Sequence, residues 1–268
     1  MSKVSYNKPP LTYSEQLQQL KDRGLFIENT DKALHLLENI SYYRLSGYWY
    51  PMLAHPKSSH RFKVDSTFNA AFKLYCFDRE FRRLILGELE KIEVAIRAKI
   101  IYILSENYGA FWFNNPDLFR NEFSFNRTIE KFRKDFADSR EDFILRFKEK
   151  YNDHLPPSWM MLEITSFGSL SFVYNNLKPG RDKRVIAKYF GLNERTMESW
   201  LHTIIYVRNI CAHHGRLWNR DYSIAPSIPV SLANTWLAVT TTDHPTKTGS
   251  QRNLNNKTYF FLSMIIIC

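Results

Sequence analysis

The chain has 268 residues, 44% of them hydrophobic and 15% aromatic, with a formal net charge of +10. That length suits one large domain or a domain with an appendage, and the apolar share supports a real core. A mean hydropathy of -0.39, with no apolar run of about 18 residues, argues against a membrane span.

No secretory leader is recognisable after Met1-Ser2-Lys3. Cys76, Cys211 and Cys268 are odd in number and far apart, which implies a reducing, cytoplasmic setting and no disulfide framework. No Cys/His pairing has zinc spacing, so no metal is expected. Gly-rich phosphate loops are absent too, which argues against a nucleotide-driven enzyme, and no cofactor is expected.

The pattern along the chain is helical. Thr12-Tyr13-Ser14-Glu15 reads as a capping box that opens a short helix, and Gly24 stands where it ends. A second short helix spans about Asp31 to Asn39. The aromatic block from Tyr42 to Trp49 follows; it suits packing of an N-terminal lobe better than a stacking platform for bases. Pro51 to Ser59 reads as a loop.

Phe68 to Glu106 carries the strongest helical period, through Leu74, Phe77, Phe81, Leu84, Ile85, Leu89, Ile92, Ile96, Ile100 and Ile103, with a kink or join expected at Gly87. Glu93 sits on that stripe with Arg97 four residues on. They form either a structural ion pair or a pair that orients groups elsewhere. Arg79, Arg82 and Arg83 form a basic cluster that either touches phosphates or is simply exposed. Arg127 to Lys150 reads as one charged helix. Trp159 to Leu177 reads as one apolar, central helix. Asp182 to Phe190 is a short helix stopped by Gly191.

A last helix opens at Asn193, a good N-cap. Met197, Leu201, Ile204 and Cys211 recur on its apolar side, with Trp200 and Val207 flanking them. Arg208 projects from that stripe. Beside it runs a polar ridge of His202, Tyr206, Asn209 and His213. Arg208 cannot lose its charge, and a His four intervening residues later is of the side-chain type that titrates near neutral pH. One suits a crowded phosphate and the other suits proton transfer. Positions five apart on an ideal helix diverge by roughly 140°, so Arg208 and His213 converge only if the helix distorts or a second chain supplies the opposing group. Without that chemistry, an Arg on a stripe often snorkels or pairs with a buried carboxylate, and a His near a helix end often just favours the dipole. Lys178 to Arg220 holds nine Lys/Arg against three acids, as a polyanion ligand would need.

Arg208-Asn209-Ile210-Cys211-Ala212-His213-His214-Gly215-Arg216-Leu217-Trp218-Asn219-Arg220 closely resembles the signature of the Abi-like (abortive infection, AbiD/AbiF-type) bacterial phage-defence family. Three further stretches agree in order: Tyr42 to Pro51, Leu74-Tyr75-Cys76-Phe77-Asp78-Arg79 through Ile92 to Arg97, and Pro157 to Met160 through Phe167 to Ser171. The resemblance covers about residues 5 to 225 and extends to the HEPN superfamily, whose active members are metal-independent ribonucleases with an Arg-x4-6-His motif.

It implies an all-α fold, a HEPN-like helical bundle with a small N-terminal helical lobe. Residues 1–65 would form the lobe and 66–225 the bundle, while 226–268 would form a loop and a final helix over Thr258 to Ile267. It implies an RNA endonuclease in phage defence or a toxin role, acting as a homodimer, with an antitoxin as a further partner. Arg208, His213, Asn209 and His214 would be the catalytic residues. Arg216, Arg220, Lys183 and Arg184 would contact RNA, with Glu93 and Arg97 in support. The other reading is a non-catalytic RNA-binding or partner-sensing module. HEPN toxins often carry a Tyr two places after the His; here that place is Gly215, which departs from a control by Tyr modification.

Overall fold

The structure, a computed structural model, describes residues 5–224 and 226–227. It is all-α: the described residues hold ten α-helices, a few 3-10 turns and isolated β-bridges. No helix among them is long and apolar enough to cross a membrane. The expected final helix over Thr258 to Ile267 lies outside the described residues. The described chain falls into two compact units, one built from residues up to Arg82 together with Arg216–Asn219, the other from Arg83–Gly215 and the residues from Arg220 onward.

The first unit begins with α1 (Tyr13–Asp22), α2 (Thr30–Ile40) and α3 (Tyr42–Trp49). Each start is dictated locally. Thr12 closes the expected capping box with Glu15, while Asn29 and Ser41 cap the next two helices through their side chains. The end of α1 is a Schellman turn: Gly24, at φ 91°, donates to Lys21 and Leu25 donates to Leu20. Leu17, Leu20, Leu37, Leu45, Tyr48, Trp49 and Phe68 form the core, and Trp218 packs against it. The aromatic block is thus largely a packing element, although Tyr43 stays 89% exposed.

α4 (Phe68–Tyr108) starts in this unit and continues into the second as a single helix of 41 residues. Gly87 neither ends nor interrupts it, and a Cβ at that position would meet no atom within 4 Å. The apolar stripe on both sides of Gly87 carries the helix through, at the modest penalty of one interior glycine. The boundary between the two compact units falls at Arg82, inside this helix.

The second unit adds α5 (Glu122–Asp138), α6 (Asp142–Lys150), α7 (Ser158–Met161), α8 (Phe167–Asn176), α9 (Arg181–Tyr189) and α10 (Glu194–Ala212). α10 packs on α8 and α9, and α5 packs on α8. Two expected helices are each split. The charged helix breaks between Asp138 and Asp142, where Ser139 and Glu141 adopt extended backbone. The apolar helix breaks between Met161 and Phe167, because buried Arg97 of α4 takes the carbonyls of Leu162 and Thr165 and so satisfies groups that a continuous helix would have bonded internally.

Candidate functional site

α10 is positioned by its cap and its buried side. Asn193 Oδ1 accepts from Thr196 N at 2.8 Å, and Met197, Trp200, Leu201, Ile204, Val207 and Cys211 are buried. The opposite ridge is open, with His202, Asn209 and His213 exposed. Arg208 lies between the two faces, partly exposed. Its Nη1 reaches Asn209 Oδ1 at 3.5 Å, the outer limit of a hydrogen bond. No carboxylate pairs with Arg208 among the described residues, and its partial exposure fits an arginine whose stem lies on the apolar stripe and whose head reaches out of it.

The helix also ends in a Schellman turn. His213 is the C-cap, with φ -88°. His214 N donates to Cys211 O at 3.1 Å and Gly215 N donates to Ile210 O at 2.8 Å. The left-handed position of this turn, which favours glycine, is filled by His214 at φ 56°. The same turn after α1 and after α9 uses Gly24 and Gly191. Left-handed backbone is unfavourable for a residue with a Cβ by roughly 1–2 kcal/mol. His214→Gly is therefore expected to be more stable than His214→Ala by about 1 kcal/mol, since both lose the imidazole and only one keeps the strain. Urea unfolding of the two variants measures the difference; equal stabilities would rule out the left-handed conformation at 214.

Gly215 follows the strained residue because nothing larger fits comfortably. A Cβ there would lie 3.3 Å from both Ile210 Cγ2 and Ile210 O, and 3.6 Å from Arg220 Nη1. The Arg220 guanidinium thus lies against the turn that carries His214. The end of α10 thus gathers Arg208, Asn209, His213, His214 and Arg220.

The other expected site residues go elsewhere. Arg184 is exposed on α9. Lys183 is a correction: it is only 2% exposed, so it presents nothing to a phosphate. Its Nζ donates to Asn175 O at 3.0 Å, Leu177 O at 3.2 Å and Glu198 Oε1 at 2.6 Å. It caps the C-terminal carbonyls of α8. Burial pushes its pKa down, against the upward pull of Glu198. Arg97 and Glu93 pair at 2.8 Å, and Arg97 spends its remaining donors on the α7–α8 break. Among the described residues, no hydrogen bond or ion pair joins either of them to the end of α10. Arg82, from the expected basic cluster, is 5% exposed and paired with Asp78.

Arg216 belongs to the first unit, where its Nη1 donates to Gly47 O at 2.6 Å. A Cβ on Gly47 would stand 3.4 Å from Arg216 Cδ, in ordinary van der Waals contact. Beside it lies a cluster that sequence reasoning missed. Asp78 is fully buried and accepts from Tyr48 Oη at 2.6 Å, from Arg82, and from the backbone N–H groups of Leu217 and Trp218 at 3.2 and 2.7 Å. Burial, and then the hydrogen bond to Asp78, raise the Tyr48 pKa, so its hydroxyl stays a donor. The signal was present as an acid on the stripe between Leu74 and Phe81, with an Arg four residues on.

No curated protein and no solved structure shows detectable similarity to the chain. The Abi-like protein family matches residues 35–219, more than two-thirds of the chain. The matched stretch takes in the aromatic helix, the buried Asp78, the Arg97-bridged break and the end of α10, and on that extent the chain belongs to the Abi-like protein family.

Proposed function

We propose that this protein is a HEPN-type, metal-independent RNA endonuclease of the AbiD/AbiF kind, acting in the cytoplasm in phage defence or as a toxin. Membership of the Abi-like family suggests a part in abortive-infection phage defence. The observation that carries the chemical reading is the end of α10. An arginine without a carboxylate partner among the described residues stands one turn before two exposed histidines, one of them in strained backbone, with a further guanidinium alongside. Backbone strain of this kind concentrates at functional sites.

In this reading the ribose 2′-hydroxyl attacks its own adjacent phosphate. His213 moves a proton in that step, and the 5′-oxygen leaves, giving a 2′,3′-cyclic phosphate and a 5′-hydroxyl end. Arg208 holds the charge that builds on the phosphoryl oxygens, where a planar guanidinium is suited to two oxygens at once. Asn209, within reach of Arg208, fixes its orientation. His214 assists or replaces His213. Arg220 and Arg184 supply contacts to the strand, and Arg216 and Lys183 serve the fold. A homodimer completes the site, and an antitoxin would act by covering it.

The test is incubation of the purified protein, in EDTA, with labelled single-stranded RNA, the matched DNA, and RNA carrying one 2′-deoxyribose at the cleaved position. RNA is expected to be cut to cyclic-phosphate ends, with DNA and the deoxy position intact, because only RNA carries the nucleophile. RNA that binds but stays whole would favour the non-catalytic binding module. DNA cleavage would overturn the mechanism.

A further inference from the structure

A cavity of about 500 Å³ opens between α5 and α8, wholly within the second unit. That volume lies in the range of small-molecule sites, roughly 300–1,000 Å³. Its floor is apolar, with Phe132 and Val173 buried. One wall carries the Phe172 ring with the Arg127 guanidinium over it, 4.9 Å from the ring centroid, a flat pair on which a further ring can stack.

The rim is basic. Lys131 and Lys134 line it and are exposed. Lys131 is held by Asp135 at 2.7 Å, whereas Lys134 has no ion-pair partner among the described residues. Glu130 is the one acid among the lining residues, against three cations. Gly168 also lines the cavity, and a Cβ there would meet nothing nearer than Ser166 Oγ at 4.0 Å. A purely apolar ligand would leave the cations unused. An inorganic anion would leave the aromatic wall unused. A ligand with a planar ring at one end and a phosphate at the other uses both.

We infer that this cavity binds a nucleotide, with its base against Phe172 and Arg127 and its phosphate toward Lys134 and Lys131. The inference does not depend on RNA cleavage. The nucleotide is either free or part of an RNA strand, and the experiment separates the two. Calorimetric titration uses the four common ribonucleoside 5′-monophosphates, the matching nucleosides, and short RNA oligonucleotides.

At least one monophosphate is expected to bind with a Kd below about 1 mM. Its nucleoside should bind about tenfold more weakly, as loss of a charge-assisted contact requires. Phe172→Leu should weaken binding about tenfold through lost stacking. Lys134→Gln, at an exposed position that does not test folding, should weaken it several-fold. Arg208→Ala should leave it unchanged, which separates this site from the end of α10. Oligonucleotides that bind more tightly than the monophosphate, with the same dependence on Phe172, identify an RNA strand as the source; equal or weaker binding identifies a free nucleotide. No binding by any of these ligands at millimolar concentration would overturn the inference, as would wild-type affinity in both Phe172→Leu and Lys134→Gln.

Discussion

Arg208→Ala and His213→Ala are each expected to lower RNA cleavage by about 10²–10⁴-fold, the range that loss of a general acid–base or of a charge-stabilising group produces. The double variant should fall little further, because groups that act in one step are not additive. Stability should scarcely move. His213 is exposed and Arg208 partly so, and neither holds an ion pair among the described residues. Substitutions at such positions usually change unfolding free energy by no more than about 0.5 kcal/mol. Arg208→Lys should rescue poorly, since an ammonium lacks the planar fork that meets two phosphoryl oxygens. Single-turnover cleavage and urea unfolding on the same preparations read both quantities. Cleavage that survives in both alanine variants would make the motif structural.

The same pair of variants tests where the two groups meet. Arg208 and His213 are five residues apart, about 140° around an ideal helix, and Arg208 leans toward Asn209. One copy of α10 presents them poorly to a single phosphate. If Arg208 of one protomer faces His213 of its partner, mixing inactive Arg208→Ala with inactive His213→Ala restores one intact site in each mixed dimer. Random pairing then returns roughly a quarter of wild-type activity. Absence of any recovery would put both groups of a site in one chain.

The sequence made the caps and buried faces legible because their signals are local. Thr12, Asn193, Gly24 and Gly191 act on residues within one turn, and each stands where its pattern expects it. What it concealed depends on distant partners. The break between α7 and α8 is stabilised by Arg97, 65 residues away from Leu162, so periodicity alone joins the two helices. Lys183 reads as one more surface cation until the end of α8 and Glu198 are seen to enclose it. At the motif, the pattern His-His-Gly invites the left-handed position to be given to Gly215, yet His214 takes it. Gly215 comes one place later, where a Cβ would stand 3.3 Å from Ile210. The four stretches behind the family resemblance also gain a physical account. Tyr48, Asp78 and the Leu217–Trp218 backbone come from three of them and meet at one carboxylate. Arg97 of the central stretch binds Leu162 and Thr165, within the remaining one.

Asp78→Ala is expected to destabilise the protein by about 3–5 kcal/mol, the usual consequence of leaving a buried charge without its partner. Four donors lose their acceptor at once. Arg82 is left charged and 5% exposed, the Tyr48 hydroxyl is left without its carboxylate, and the N–H groups of Leu217 and Trp218 lose this acceptor. Unsatisfied buried donors of this kind are unfavourable by roughly 1–3 kcal/mol each before any relaxation. A loss on this scale is a large fraction of a typical domain's stability, which is about 5–15 kcal/mol. Asp78→Asn should lose less, because the amide keeps one acceptor oxygen while removing the charge that Arg82 needs. Tyr48→Phe should lose about 1 kcal/mol, one hydrogen bond's worth. Leu217 and Trp218 begin three residues after His214, so the carboxylate anchors the chain immediately beyond the strained turn. The ordering Asp78→Ala, then Asp78→Asn, then Tyr48→Phe, measured by urea unfolding, checks the account. A loss below about 1 kcal/mol in Asp78→Ala would mean that the cluster does not hold the segment after α10.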